Sequence, residues 1–204
     1  MVRAFIAVPV GDAAKSAVVE VMDTLRASGA RQKDAAVRSA WKAVRWVSRD
    51  GIHLTLKFLG DIDEHDVLRA QGALDALKDM RAFRIDLCGI GAFPSVTGPR
   101  VLWIGVRQAD QVRALAGRIE GTIGDINREN RSFSAHITVA RLSDPAGVVP
   151  AGRAGPLEKV REMWDDQIIG TSPVDRAVLF QSILGPKGAV YLPLYEVALK
   201  KEAV

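Results

Sequence analysis

The sequence predicts an α+β protein dominated by antiparallel sheet, and three observations point there. Segments with the two-residue alternation of β-strands outnumber helical ones, and the helices lie too far apart for a regular strand–helix–strand repeat. No flexible linker separates two independent domains, so residues 1–204 read as one bilobal domain, long enough to bury a sizeable core. A four-residue string also occurs twice, as His53-Leu54-Thr55-Leu56 and His136-Ile137-Thr138-Val139, 83 residues apart and each in a strand-like run. That repetition predicts a site of two-fold character.

Residues 3–8 read as the first strand. Ala14, Val18, Met22 and Leu25 recur at helical spacing over 12–27, with Asp12 as the expected N-cap. Residues 28–43 show no clear core face and are expected to be a loop or a marginal helix. Strands are predicted at 44–47 and 52–59, then a helix over 63–79 with Val67, Ala70, Leu74 and Leu77 on one face. Strands at 83–89 and 100–106 precede a helix over 110–126, with Asp110 as N-cap and a stripe of Val112, Leu115, Ile119 and Ile123. The strand 134–140 carries the second repeated string. Six Gly and Pro residues between 144 and 156 predict a long surface loop. Strands at 176–183 and 189–199 close the chain around the turn Gly185-Pro186-Lys187-Gly188.

Composition narrows the function classes. With 28 Lys and Arg against 24 Asp and Glu, the net charge of +4 suits a polyanionic partner without demanding one. The single Cys88 excludes an internal disulfide and a cysteine-based zinc cluster; it fits a reducing compartment and, in an alternating strand, a packing role. The apolar opening Ala4–Val8 is interrupted by Pro9, Asp12 and Lys15 before it resembles a signal sequence. No run approaches the ~20 apolar residues of a membrane span. A cytoplasmic protein with no membrane partner is expected.

The repeated string carries chemistry. Alternation puts Ile52, Leu54, Leu56 and Phe58 on one face, with His53, Thr55 and Lys57 on the other. In the second string Ile137 and Val139 point inward while His136, Thr138 and Ala140 point out. Two of the three histidines are used this way; His65, in the first turn of a helix, reads as a surface residue. One neutral imidazole can take a proton from water while a second, as imidazolium, gives one to a leaving alkoxide. Threonine hydroxyls can donate to the non-bridging oxygens of a phosphate. Such a pair cleaves phosphoesters without a metal. The competing zinc reading lacks a third ligand, because neither string has a carboxylate on its own strand face and no HExxH is present. No metal or cofactor is expected.

The strings His53-Leu54-Thr55-Leu56-Lys57-Phe58-Leu59-Gly60 and Phe133-Ser134-Ala135-His136-Ile137-Thr138-Val139-Ala140-Arg141 resemble the two signatures of the two-histidine phosphoesterase superfamily. Within it they are most similar to the bacterial and archaeal RNA 2′,3′-cyclic phosphodiesterases, first described as 2′-5′ RNA ligases. Supporting likeness lies in Arg3-Ala4-Phe5-Ile6-Ala7, Val44-Arg45-Trp46-Val47, Pro99-Arg100-Val101-Leu102-Trp103, Leu179-Phe180-Gln181-Ser182 and Gly188-Ala189-Val190-Tyr191. The resemblance implies two lobes, each giving one His-x-Thr strand to a central cleft. It implies hydrolysis of an RNA 2′,3′-cyclic phosphate end to a 2′-phosphate, with 2′-5′ ligation as the reverse side activity. It makes His53 the proton donor and His136 the proton acceptor, labels that sequence alone leaves exchangeable. Thr55 and Thr138 would hold the phosphate. Arg141 also matches and would bind phosphate, although strict alternation places it opposite His136, so the strand must end or bend there. Lys57 and Arg100 are weaker candidates for substrate contacts.

Seven cations stand between Arg26 and Arg49 against the single Asp34, with Trp41 and Trp46 among them. Residues 28–43 within it are longer and more basic than the family pattern, and the segment is read either as an RNA-stacking surface or as a solvated loop with Trp46 in the core. The expected partner is an RNA end or a nucleotide bearing a 2′,3′-cyclic phosphate, bound by a monomer. An RNA-end sensor with little turnover, or a phosphodiesterase for small cyclic nucleotides or 2′-5′ oligonucleotides, are the alternatives.

Overall fold

The computed structural model describes residues 1–128, 132–143, 156–165, 167–185 and 188–201. In chain order the elements are β1 (Val2–Pro9), α1 (Asp12–Ala30), α2 (Ala35–Lys42), β2 (Arg45–Trp46), β3 (His53–Ile62), α3 (Glu64–Asp75), β4 (Phe83–Phe93) and β5 (Val101–Val106). Then follow α4 (Ala109–Ile123), β6 (His136–Arg141), α5 (Pro156–Trp164), β7 (Ile168–Val174), β8 (Arg176–Gly185) and β9 (Gly188–Ala198).

The strands form two sheets with every pairing antiparallel, as the α+β reading predicts. The first runs β3-β1-β8-β9 and the second β2-β6-β5-β4-β7. Each sheet carries one of the repeated strings, on β3 and on β6. The lobes are not, however, the two halves of the chain. Helices α3 and α4 pack against the first sheet, and α1 and α5 against the second, so α1 and α4 each leave one sheet to cover the other. Small residues allow the α1 docking, since a Cβ at Gly170 of β7 would already stand 3.3 Å from Ala14.

Several expectations change. Gly11, not Asp12, caps α1; its N–H donates to Ser172 Oγ at 2.9 Å, while Asp12 in the first turn accepts from Arg49 at 3.1 Å. Gln108 precedes α4, and Asp110 falls inside its first turn, paired with Arg113. Helices α3 and α4 stop at Asp75 and Ile123, short of the predicted ends at 79 and 126, although Leu77 and Ile126 beyond them are still buried. Residues 35–42 form a true helix: Asp34 accepts from the N–H groups of Ala36 and Val37, and Val37 and Trp41 are buried. A stripe of only two residues leaves too little periodicity to read.

Helix α5 and strand β7 have no counterpart among the elements that the sequence predicts. Gly170 and Pro173 disguise β7, which tolerates the proline because it is the edge of its sheet. Residues 144–155 of the predicted loop, and Pro186 and Lys187 of the predicted turn, lie outside the described residues. Gly185 and Gly188 do pair as the closing step of a β8–β9 hairpin.

Candidate active site

Each repeated string ends in a β-bulge at the same place. Against β1, Thr55 pairs with Ala7 and Lys57 with Ile6, which leaves Leu56 extra. Against β5, Thr138 pairs with Trp103 and Ala140 with Leu102, which leaves Val139 extra. An extra residue reverses inside and outside for whatever follows it. The bulge on β6 therefore returns Arg141 to the face of Thr138, the bend that strict alternation demanded. The bulge on β3 turns Lys57 inward and Phe58 outward, reversing the predicted faces of both. Lys57 is 6% exposed and its ammonium donates to Glu120 of α4 at 2.7 Å, whereas Phe58 is 43% exposed.

The two imidazoles are held alike. The Nδ1–H of His53 donates to the carbonyl of Gly51 at 2.8 Å, and that of His136 to the carbonyl of Ser134 at 2.7 Å, each two residues upstream. A carbonyl only accepts, so the hydrogen sits on Nδ1 in the neutral ring and Nε2 carries the basic lone pair. For His53 that Nε2 faces Thr55 Oγ1 at 3.1 Å. Aromatic rings wall both histidines. Phe5 stacks on His53 at 4.8 Å and Tyr191 meets it edge-on at 5.1 Å. Phe93 meets His136 edge-on at 5.0 Å, with Trp103 at 6.3 Å.

This burial moves the His53 pKa down to about 4. Desolvation is the largest cause; the bond to Gly51 opposes it, and the positive charges of Arg141, Lys15 and His136 push it lower still. Without a bound anion, His53 is neutral at pH 7.

A cavity of about 470 Å³ brings together His53, Thr55, Thr138 and Arg141. His136 is not on its lining but stands two residues from Thr138 on the same strand, close enough for its charge to act on His53. Lys57 and Arg100 are not brought to the cavity. Lys57 is turned away by the bulge, and Arg100 is an exposed residue whose backbone bonds to Phe93 and Leu142. The cavity also takes in Arg3, Phe58, Asn127 and Tyr191, which sequence reasoning does not assign to the site. The bulge hides Phe58 from it. Asn127 has the one legible signal, a residue type that tolerates its positive φ of 47°, and its amide donates to the Phe58 carbonyl at 3.2 Å.

The basic stretch is built differently from an RNA-stacking loop. Trp41 is 4% exposed, lodged where a Cβ at Gly29 would stand 2.4 Å from its ring, and it stacks on Trp46. The Arg26 guanidinium covers Trp46 at 4.8 Å, and Arg38 donates to the carbonyls of Gln32 and Lys33. Trp41 is thus closed to a base, and Trp46 is already engaged by Trp41 and Arg26. Among the described residues one group could hold a metal ion, Asp63, His65 and Asp66 at the start of α3; it includes neither cleft histidine.

Two sheets, each bringing a bulged His-x-Thr strand to the cleft with Thr55 and Thr138 on its lining, form the two-lobed arrangement that the resemblance implies. Residues 20–103 match the model of the LigT-like phosphoesterases. A protein of Aeropyrum pernix named RNA 2′,3′-cyclic phosphodiesterase is 34% identical over 157 residues, 76% of this chain and 85% of its own. Another of the same name, from Archaeoglobus fulgidus, is 29% identical over 194 residues, 94% of this chain and 97% of its own. The chain belongs to the LigT-like phosphoesterase family and is an enzyme. The crystal structure of TT0787 of Thermus thermophilus has a TM-score of 0.71 at 26% identity, covering 98% of this chain and 100% of that one. E. coli LigT complexed with 3′-AMP shares the fold, with a TM-score of 0.70 at 21% identity over 97% and 98% of the two chains.

Proposed function

We propose that the protein hydrolyses RNA 2′,3′-cyclic phosphate ends to 2′-phosphates with a pair of histidines and no metal. The observation that carries this reading is the matched pair of strands, whose histidines share an Nδ1–H bond to the carbonyl two residues upstream. The names of the relatives support the same substrate. Thr55, Thr138 and Arg141 hold the phosphate oxygens, with Arg141 supplying a fixed charge. His136 takes a proton from water as it attacks phosphorus, and His53 gives its proton to the departing 3′ oxygen. A proton exchange with solvent then resets the pair.

His53 is neutral before substrate arrives, so it becomes an acid only when the phosphodiester anion draws a proton onto it. Substrate binding at pH 7 is thus coupled to proton uptake. Joining the cyclic end to a 5′-hydroxyl is the same displacement with that hydroxyl in place of water, and water at ~55 M outcompetes a second RNA end that must first be held against its binding entropy. One chain supplies both histidines, which supports a monomer, and the lone Cys88 supports a cytoplasmic setting. No helix among the described residues is long and apolar enough to cross a membrane.

Turnover of an oligonucleotide ending in a 2′,3′-cyclic phosphate, measured in EDTA, tests the proposal. Activity should survive chelation and fall at least about 10³-fold in both His53→Ala and His136→Ala. Tight binding without turnover in the wild type would instead identify an RNA-end sensor.

A further inference from the structure

The cavity extends well past His53 and Thr55 toward the far end of β3. Beyond His53 and Thr55 its lining comes from Phe58 and Gly60 at the far end of β3, Arg3 at the start of β1, Leu184 of β8, and Asn127. In the register of the first sheet, His53 pairs with Pro9 and Asp61 with Arg3. Six steps along β1 separate those levels, about 20 Å at ~3.3 Å per residue. Stacked nucleotides advance about 3.4 Å along one strand, so even at twice that spacing the groove outruns a single nucleotide. A 2′,3′-cyclic phosphate closes the 3′ end of its strand. Any RNA that occupies the groove beyond the terminal nucleotide is therefore the chain on its 5′ side.

Taking the proposed RNA-end activity as given, we infer that this groove is a track for the nucleotides preceding the cyclic end, with Arg3 pairing to a backbone phosphate and Phe58 stacking a base. Arg3 is exposed and has no ion pair among the described residues. Phe58, turned out by the bulge at Leu56, backs onto Phe5 at 6.2 Å and leaves its outer face to the groove. A half-exposed ring beside an uncommitted guanidinium is the pairing that single strands use, stacking on the base and charge on the phosphate. The substrate class follows: an oligonucleotide end is preferred over a cyclic mononucleotide.

The test compares kcat/KM for a 2′,3′-cyclic mononucleotide and a tetranucleotide ending in the same nucleotide, in wild type, Arg3→Gln, Arg3→Lys and Phe58→Leu. The tetranucleotide should be favoured about tenfold or more in the wild type, with the advantage shrinking several-fold in Arg3→Gln and Phe58→Leu and largely kept in Arg3→Lys. Arg3→Gln should also lower the slope of log KM against log salt for the tetranucleotide by about 0.7, the share of one phosphate contact on a single strand. Equal kcat/KM for the two substrates in the wild type would overturn the inference and leave the enzymatic proposal standing. So would a length advantage indifferent to Arg3→Gln and Phe58→Leu. Hydrolysis of neither substrate would instead remove the proposed function.

Discussion

At His53, burial and three neighbouring positive charges all oppose protonation, and one carbonyl bond resists them. The lowered pKa also bears on folding, because a pKa that differs between folded and unfolded chains is a stability term. The unfolded chain binds a proton at His53 below about pH 6.5, whereas the folded protein does so only near 4. Between those values the unfolded state holds more protons. The His53 contribution is therefore fully present above about pH 6.5 and lost as pH falls toward 4, amounting to at most about 3 kcal/mol. Urea midpoints from pH 7.5 to 4 should decline in the wild type and decline visibly less in His53→Gln. Parallel curves for the two proteins would show that His53 is not the group responsible. As the assigned proton donor, His53 must carry its proton in the reacting complex, so the same titration should appear in the alkaline limb of kcat/KM and leave the acid limb to the base.

The informative element is the bulged strand. Alternation correctly puts His53 beside Thr55 and His136 beside Thr138, because each pair precedes its bulge. It fails one residue later on both strands, since a bulge is a feature of pairing and leaves no mark in the strand's own composition. For that reason alternation assigns Phe58 to the core and Lys57 to the cleft, and it reaches Arg141 only by requiring that the strand bend. Helix α2 is illegible for a related reason: its burial rests on Trp41 lodging against Gly29, a contact between segments. The pinned lysine makes an asymmetric prediction. Lys57 is buried and Glu120 half exposed, so removing the carboxylate strands a charge in the core, whereas removing the ammonium frees Glu120 to water. Glu120→Ala should cost about 2–4 kcal/mol in a denaturation series and Lys57→Met clearly less. Equal costs would mean that the ammonium is solvated in the native state.

At the scale of the whole molecule, the lobes are interlaced rather than joined end to end. Strand β1 sits between β3 and β8 in the first sheet, so that sheet is incomplete until the last strands arrive, and α1 and α4 each cross to the other lobe. The apolar interior is correspondingly one cluster that runs from Ala4 and Ile6 through α1 to Leu115 and Val139 and back to Leu179. Neither lobe can melt without exposing helices that the other supplied, and this ties the spacing of the two His-x-Thr strands to global stability. The distribution of tryptophan makes the point testable without engineering. Trp41, Trp46, Trp103 and Trp164 all lie on β2, β5 or the helices beside the second sheet, whereas the first sheet contains none. Tryptophan fluorescence therefore follows one lobe and far-ultraviolet circular dichroism follows both. The two probes should give the same urea midpoint and slope, a single cooperative transition. A dichroism curve that begins before the fluorescence changes would mean that the first sheet unfolds by itself, and that the lobes are coupled only through the cleft.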